Sequence, residues 1–427
     1  MSGWRRSYNP SLQLKDIETA VAKFKGRKFW RRAALFLATL WAVFALWQAP
    51  VVSTTASDQI RGVWMTNLGA ALSYYTMRTD EVMATMAEHH LNTVYPCVWN
   101  RGYTLHSSAV AKAAGGPAKE VMTDIPLLPG DDVLKGLVHQ AHRQNLRILP
   151  WFEYGLMIPE TSAIAQAHPD WLTTTAAGET VETPLAPNAA FPPALQNLQL
   201  EMVGGNLAWL NPFHPEVQQF LTDLIVEVVT RYPVDGIQLD DHFGVPVAFG
   251  YDALTVERYK AEHNGIAPPS DVNDPEWVAW RANGSTLLLA KIQAGVKQGN
   301  PDAVISVSPN PPAFAYTKYL QDWRRWVDLG IVDEVVVQVY RNDLAVLEND
   351  LYNSGFYDVR EQVPTAIGLY TGPAGQAKSI ETLEAEIETV QNAGYGGVSF
   401  LCWETTLWSL KESSEQSVLD VFAKSFS

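Results

Sequence analysis

At 427 residues, 47% hydrophobic and 11% aromatic, the chain is too rich in apolar side chains for a disordered polymer, and its length suits one large α/β barrel or two ordinary domains. Its formal net charge is −15, and because nine Lys or Arg stand against Asp16 and Glu18 in the first fifty residues (+7), the remainder carries −22. Such an acidic body argues against nucleic-acid binding, which needs a basic face to displace counterions.

The N-terminus differs from the rest of the chain. Residues 1–32 form a basic leader that ends in Arg27, Lys28, Arg31 and Arg32, and an uncharged apolar stretch, AALFLATLWAVFALWQA, runs over 33–49. A basic run before an apolar one is the pattern of a signal peptide or a signal-anchor, and the long leader fits a transmembrane anchor over 33–50 better than a cleaved signal. The flanking charge would hold the N-terminus in the cytoplasm. The body would then face the periplasm or cell exterior, or be secreted if the segment is cleaved. A short Ser/Thr linker within 51–59 leads to the globular part, 60–427.

From there the chain alternates short apolar runs with polar turns and amphipathic segments. The runs fall at 61–66, 93–99, 147–154, 236–241, 303–310, 334–340, 364–370 and 396–404, and segments with helical spacing lie at 131–144, 215–231, 276–299, 317–330 and 380–393. Strands alternating with helices imply parallel pairing, and eight such units predict a (β/α)₈ TIM barrel. The alternative, an open doubly wound sheet, would carry a glycine-rich phosphate turn after an early strand, and none is present. The stretch 156–209, rich in Pro, Ala and Thr, reads as an irregular excursion over the barrel mouth after the third strand. Cys97 and Cys402 are far apart, form no CxxC pair and sit in apolar runs, which excludes a thiolate zinc site and favours buried free thiols.

Barrel enzymes place their reactive groups at the C-terminal ends of the strands. Those ends hold Asn67, Trp99 with Asn100, Glu153, Asp240 with Asp241 and His242, Asn310, Gln338 with Tyr340, Tyr370 and Glu404. Alternation puts Ile237 and Leu239 toward the helices, so Gln238 and Asp240 point inward; Ser306, Ser308 and Asn310 share one face of the fifth strand, and Gln338 and Tyr340 share one face of the sixth. Polar rows inside a barrel are costly unless they bind one another, water or a ligand. The fifteen tryptophans include Trp64, Trp151 and Trp403 beside these ends, where indole faces suit sugar rings.

Glycoside hydrolysis needs one carboxyl group to protonate the leaving oxygen and another to attack or to activate water. Asp240 has the direction for the nucleophile; the acid would be Asp241, Glu153 or Glu404. Each also has a structural reading: Asp241 as a helix cap or cation ligand, Glu404 as a hydrogen-bonding group, Glu153 as the partner of an arginine. Only His242 among the histidines stands at a strand end, so no metal site and no cofactor is expected. The competing function is a non-catalytic carbohydrate-binding barrel of the cell envelope.

The motifs Arg61-Gly-Val-Trp64-Met-Thr-Asn67, Asn92-Thr-Val-Tyr-Pro96, His168-Pro-Asp-Trp171-Leu, Trp209-Leu-Asn-Pro212, Asp235-Gly-Ile-Gln-Leu-Asp240-Asp241-His-Phe243, 333–340 and Gly368-Leu-Tyr370 together resemble the glycosyl-hydrolase-like family 10 proteins, over roughly 60–408. The resemblance implies an exported or lipid-anchored (β/α)₈ hydrolase acting on a polysaccharide, with peptidoglycan glycan strands as one substrate of the group, and matches Asp240 and Asp241 to the family's paired aspartates. The chain departs from the family pattern at Gln238, often His, and at His242, often Tyr, both beside the carboxylates.

Overall fold

Runs of β-branched residues such as Val304–Ser308 and Glu334–Gln338 set the frame by pairing in parallel. In this computed structural model, which describes residues 28–39, 51–52, 59–117, 119, 132–184, 205–372, 378–406 and 414–426, the chain divides into Met1–Pro50 and Val51–Ser427. In the first unit residues 28–39 are helical, and 40–50 lie outside the described residues, as does most of the leader. Among the described residues no helix is long and apolar enough to cross a membrane.

The second unit is an α/β fold with a curled parallel sheet of nine strands. In chain order its strands are β1 (Ile60–Met65), β2 (Thr93–Pro96), β5 (Arg147–Ile148), β6 (Trp151–Phe152), β9 (Gly236–Asp240), β10 (Val304–Ser308), β11 (Glu334–Gln338), β12 (Thr365–Tyr370) and β13 (Gly397–Leu401), with two antiparallel pairs beside them, β3 (Trp99–Asn100) with β4 (Tyr103–Thr104) and β7 (Met157–Pro159) with β8 (Leu207–Trp209). Across the sheet the order is β5-β2-β1-β13-β12-β11-β10-β9-β6. Its two ends, β5 and β6, are separated in sequence only by Leu149 and Pro150. Leu149 N donates to Val94 O on one side (3.1 Å), and Gln238 N donates to Pro150 O on the other (2.9 Å).

Helices begin where short polar side chains can take up free N–H groups. Asp252, Asp274, Asp343 and Ser379 each accept from the first turn of the helix they precede, and Pro215 and Pro275 open theirs where an N–H is not needed. Ile237, Leu239, Ile305, Val307, Val335, Val337, Ile367 and Leu369 pack outward against the helices. The opposite faces enclose a second, inner cluster of Trp64, Tyr95, Cys97, Leu149, Trp151, Val336 and their neighbours. Gly397 is obligatory in this weave: its φ is +138°, and a Cβ there would lie 1.9 Å from Ile60 O on β1.

Several expected boundaries move. The third predicted strand is split at Pro150, which has no N–H to give to a ladder. The second stops at Pro96, and Trp99 joins the β3–β4 pair instead. The helix expected over 317–330 is two, Pro312–Tyr319 and Trp323–Asp328, broken where Leu320 turns left-handed at φ 50°. The excursion over 156–209 is partly regular, for it contains β7, β8 and the helix Ala163–Ala167; its residues 185–204 lie outside the described ones.

Inside the sheet, one polar ladder climbs toward the C-terminal ends of the strands. Arg147 Nη2 donates to Glu334 Oε2 (2.8 Å), Tyr95 OH (3.1 Å) and Ser306 Oγ (3.0 Å) donate to Glu334 Oε1, Gln238 Nε2 donates to Ser306 Oγ (3.1 Å), and Trp64 Nε1 donates to Gln238 Oε1 (2.6 Å). Glu334 is 3% exposed and serves three donors at once. Glu334→Ala should therefore lower the free energy of unfolding by about 3 kcal/mol, the lower end for breaking a buried pair because Arg147 keeps some solvent. Urea titration is expected to show an earlier midpoint with an unchanged slope; a midpoint equal to that of the parent would remove the ladder from the account of stability.

Candidate active site

The top of that ladder is Asp240, the last residue of β9, and the pairing of Ser308 with Asp240 across β10 fixes its height in the sheet. Its carboxyl is 4% exposed. Oδ2 accepts from Trp151 Nε1 (3.0 Å), while Oδ1 accepts from Gln338 Nε2 (2.6 Å) and from Asp241 N (2.7 Å). Gln321 Nε2 donates to the Asp240 backbone oxygen (3.0 Å). Three strands and one helix junction thus hold a single acid.

Asp241 lies on the opposite hand of the strand and is more open, with its side chain 20% exposed. Asn310 Nδ2 donates to its Oδ2 (2.7 Å), and Gln338 Nε2 lies 3.4 Å from its Oδ1, so one glutamine amide bridges the two carboxyls. His242 Nδ1 sits 3.1 Å from Glu153 O, an atom that only accepts, which places the ring proton on Nδ1. The same N–H faces Asp241 Oδ1 (3.6 Å) and Asp240 Oδ2 (3.9 Å). A carboxylate oxygen from each aspartate and a ring nitrogen of His242 lie within 4.8 Å of one another. That spacing would also hold a cation, although both oxygens of Asp240 already accept from N–H groups.

Burial, then the neighbouring charge of Asp241 and a hydrogen bond with it, then the charge of Glu153, hold the Asp240 carboxyl well above the usual carboxylate range. Tyr340 is likewise pushed up by burial and by the same two aspartates. These groups face a cavity of about 390 Å³ at the C-terminal ends of the strands, whose lining includes Trp64, Trp151, Tyr340 and Tyr370. The two tyrosine rings stand 5.8 Å apart, tilted at 47°. The cavity can hold a ring with apolar faces and polar edges.

Of the residues singled out in the sequence, Asp240, Asp241, Glu153, Trp64, Trp151, His242, Gln338, Tyr340 and Tyr370 line this cavity. Gln238 is fully buried beneath it in the ladder, and Asn310 acts through Asp241. Four others go elsewhere. Glu404 turns to the start of the helix Asn67–Tyr75, where its Oε1 accepts from Thr66 N (3.1 Å) and Thr66 Oγ1 (2.7 Å). With Trp403 it borders a separate hollow of about 290 Å³. Trp99 is buried, its Nε1 donating to Gly155 O (3.3 Å), in the β3–β4 pair rather than at the end of a sheet strand. Asn67 is the first residue of its helix and does not line the cavity. Among the described residues Glu153 pairs with no arginine: its Oε2 accepts from Asn100 Nδ2 (2.5 Å) and from the Cys97 thiol (3.1 Å).

Sequence reasoning missed Thr66, Gly372, Leu401, Cys402 and Thr405 in the lining and Gln321 behind Asp240. Gln321 lies between two helices that the periodicity fused into one, and nothing in the sequence marks it. Cys97 and Cys402 are both free, as expected, although only Cys97 is buried and Cys402 is half-buried; desolvation with the charge of Glu404 pushes the Cys402 thiol up to about 12.

Comparison with known proteins adds a family and a fold. The model of a family described as glycosyl hydrolase-like 10 matches residues 59–388. Glycosyl hydrolase DigH of Escherichia coli (strain K12) is 26% identical over 385 residues, 78% of this chain and 77% of that protein. Glycosyl hydrolase YngK of Bacillus subtilis (strain 168) is 24% identical over 259 residues, 55% of this chain and 44% of that one. Among solved structures, the PgaB (BpsB) glycoside hydrolase domain from Bordetella bronchiseptica aligns with a TM-score of 0.57 at 13% identity, covering 85% of this chain and 99% of that one, a likeness of fold.

The raised proton affinity of Asp240 has a consequence for stability. An acid that binds its proton more tightly when folded contributes stability that is complete below its unfolded value, near 3.9, and is lost as the pH climbs toward the folded value. Asp240→Asn removes that loss. The melting temperature of the variant, relative to the parent, should therefore rise as the pH climbs above about 4. Thermal unfolding of both proteins as the pH is raised checks it, and a constant or shrinking difference would mean that Asp240 is an ordinary carboxylate.

Proposed function

The chain belongs to the glycosyl hydrolase-like 10 family, and on that footing we propose that it is a glycoside hydrolase that cleaves a polysaccharide, the glycan strand of peptidoglycan, with the Asp240–Asp241 pair as its reacting groups. The observation that carries the reading is the pair itself: two carboxyls bridged by Gln338 at the mouth of an aromatic-walled cavity. We further infer that the curled sheet is a closed (β/α)₈ barrel, with Arg147–Phe152 counting as one strand, since the hydrogen bonds of Leu149 and Pro150 run to both neighbours.

In the mechanism proposed, Asp240 holds the proton, because burial and its neighbour's charge favour the neutral form, and the more open Asp241 presents the negative charge. This reverses the assignment that strand direction alone suggests. The proton passes to the glycosidic oxygen as the bond to the anomeric carbon breaks, and the Asp241 carboxylate bonds to that carbon. Water then displaces Asp241 and returns a proton to Asp240. One oxygen of each carboxyl lies within 4.8 Å of the other, nearer to the about 5–5.5 Å between carboxyls of a retaining pair than to the about 6.5–9.5 Å of an inverting one, so the scheme has retention of configuration as its outcome. Export of the body through residues 33–50, as an anchor or a signal, would bring it to the cell wall; this part of the proposal rests on the sequence pattern.

Asp240→Asn and Asp241→Asn should each cut the hydrolysis of peptide-free peptidoglycan glycans by about 10²–10⁴-fold with folding intact. The two should part on an aryl glycoside with a good leaving group, which needs no proton: Asp240→Asn regains activity there, and Asp241→Asn does not. Cleavage products followed by chromatography, and their anomeric form by NMR, test the scheme. Full activity in Asp240→Asn on the natural glycan would refute it, and a binding barrel would show no products from any polysaccharide.

A further inference from the structure

A second cavity, of about 360 Å³, lies against the first. Its wall is Trp209 of β8, whose indole stands 6.4 Å from the His242 ring on one side and 6.3 Å from Tyr319 on the other. Tyr319 in turn senses both Asp241, in the first cavity, and Glu182, in the second, and burial with these two charges pushes its phenol up. The two hollows therefore lie side by side, with the Trp209 indole of one near the His242 ring of the other.

The floor of the second cavity is rigid. Val245 N and Val247 N donate to Tyr319 O (2.8 Å) and Lys318 O (2.9 Å), tying the segment after β9 to the end of the helix Pro312–Tyr319. Gly244 permits the approach, since a Cβ there would lie 2.5 Å from Tyr319 O. Phe314 and Lys318, four residues apart, share one face of that helix, and both line the hollow. Phe314 is 47% exposed and tilted against Tyr319 at 5.9 Å. An exposed phenyl ring beside a phenol, flanked by an ammonium and a carboxylate, offers what a pyranose needs: aromatic surface for its C–H face, and a donor and an acceptor for its hydroxyls.

We propose that this second cavity is a glycan subsite adjoining the Asp240–Asp241 cavity, in which Phe314, Tyr319 and Lys318 hold a sugar ring beyond the pair of rings being cleaved, so that the protein acts on the interior of a chain. The proposal rests on the reading of the first cavity as a glycan site and extends it to chain length.

Full-length protein carrying Asp240→Asn, which prevents turnover, is titrated with peptide-free peptidoglycan oligomers of increasing length, from the disaccharide upward, by calorimetry. Affinity should rise with length. Adding Phe314→Ala should remove about threefold to tenfold from the long oligomers and leave the disaccharide unchanged within twofold, and Phe314→Trp should restore the gain. Equal affinity for short and long oligomers, or an equal loss for both on Phe314→Ala with an unchanged melting temperature, overturns the subsite while leaving the first cavity as a glycan site. Binding of no oligomer at all overturns both.

Discussion

Asp240 and Asp241 share one end of one strand, and an arrangement of two carboxyls that close, with the first of them 4% exposed, is unstable unless something else in the fold supports it. The support comes from N–H donors rather than cations. Trp151 on β6, Gln338 on β11, the Asp241 amide and, through the main chain, Gln321 converge on Asp240 from separate parts of the sequence. Trp151, Gln338 and the Asp241 amide have fixed directions because the sheet fixes their backbone, and Gln321 is held at the junction of two helices. The sheet must therefore be complete before the pair can exist, so the site and the fold are one constraint seen at two scales.

The parallel register explains why the donors meet. Ser308 pairs with Asp240, and Gln338 N donates to Pro309 O, so Gln338 stands just beyond Ser308 and its amide reaches back to Asp240. Inward positions then come every second residue. From Glu334 through Ser306 to Gln238 and Trp64 they form a ladder of satisfied polar contacts, with the aspartates at its open end. Side chains that face the helices are apolar throughout these strands. The division gives the barrel-like interior its polarity without weakening the outer core, and it lets the cavity keep aromatic walls beside charged groups.

How much of this could be read from the sequence depends on how local each cause is. The parallel strands rest on the alternation of apolar runs with helical segments, the inward turn of Gln238 and Asp240 on a two-residue period, and the structure keeps both. Asp241, His242, Gln338, Tyr340 and Tyr370 are found from strand ends in the same way. Glu404 and Trp403 share that signal and fail it, because Glu404 accepts from Thr66 at the start of a helix, and the geometry of that cap involves a residue 338 positions away. Trp99 fails because it pairs with Thr104 in a separate antiparallel pair. Gln321 and the second cavity were illegible because they depend on a break at Leu320 in what periodicity reads as one helix.

The interior holds another buried carboxylate, and the contrast separates scaffold from site. Glu334 is 3% exposed, about as buried as Asp240, yet the Arg147 guanidinium stands 2.8 Å away and two hydroxyls complete its shell. Its charge is matched, and a matched pair has no reason to exchange a proton during a reaction. Asp240 has like charge for a neighbour, and its nearest cationic candidate is a histidine 3.9 Å off whose N–H also serves Glu153 O and Asp241. The fold neutralises one acid at the base of the ladder and leaves the other electrically unfinished at the mouth. In the function proposed, a substrate oxygen that took up a proton, beside a carbon that gained positive character, would supply the charge pattern that this second acid lacks, and that difference is what favours the proposed chemistry at Asp240 and Asp241 over a merely structural role.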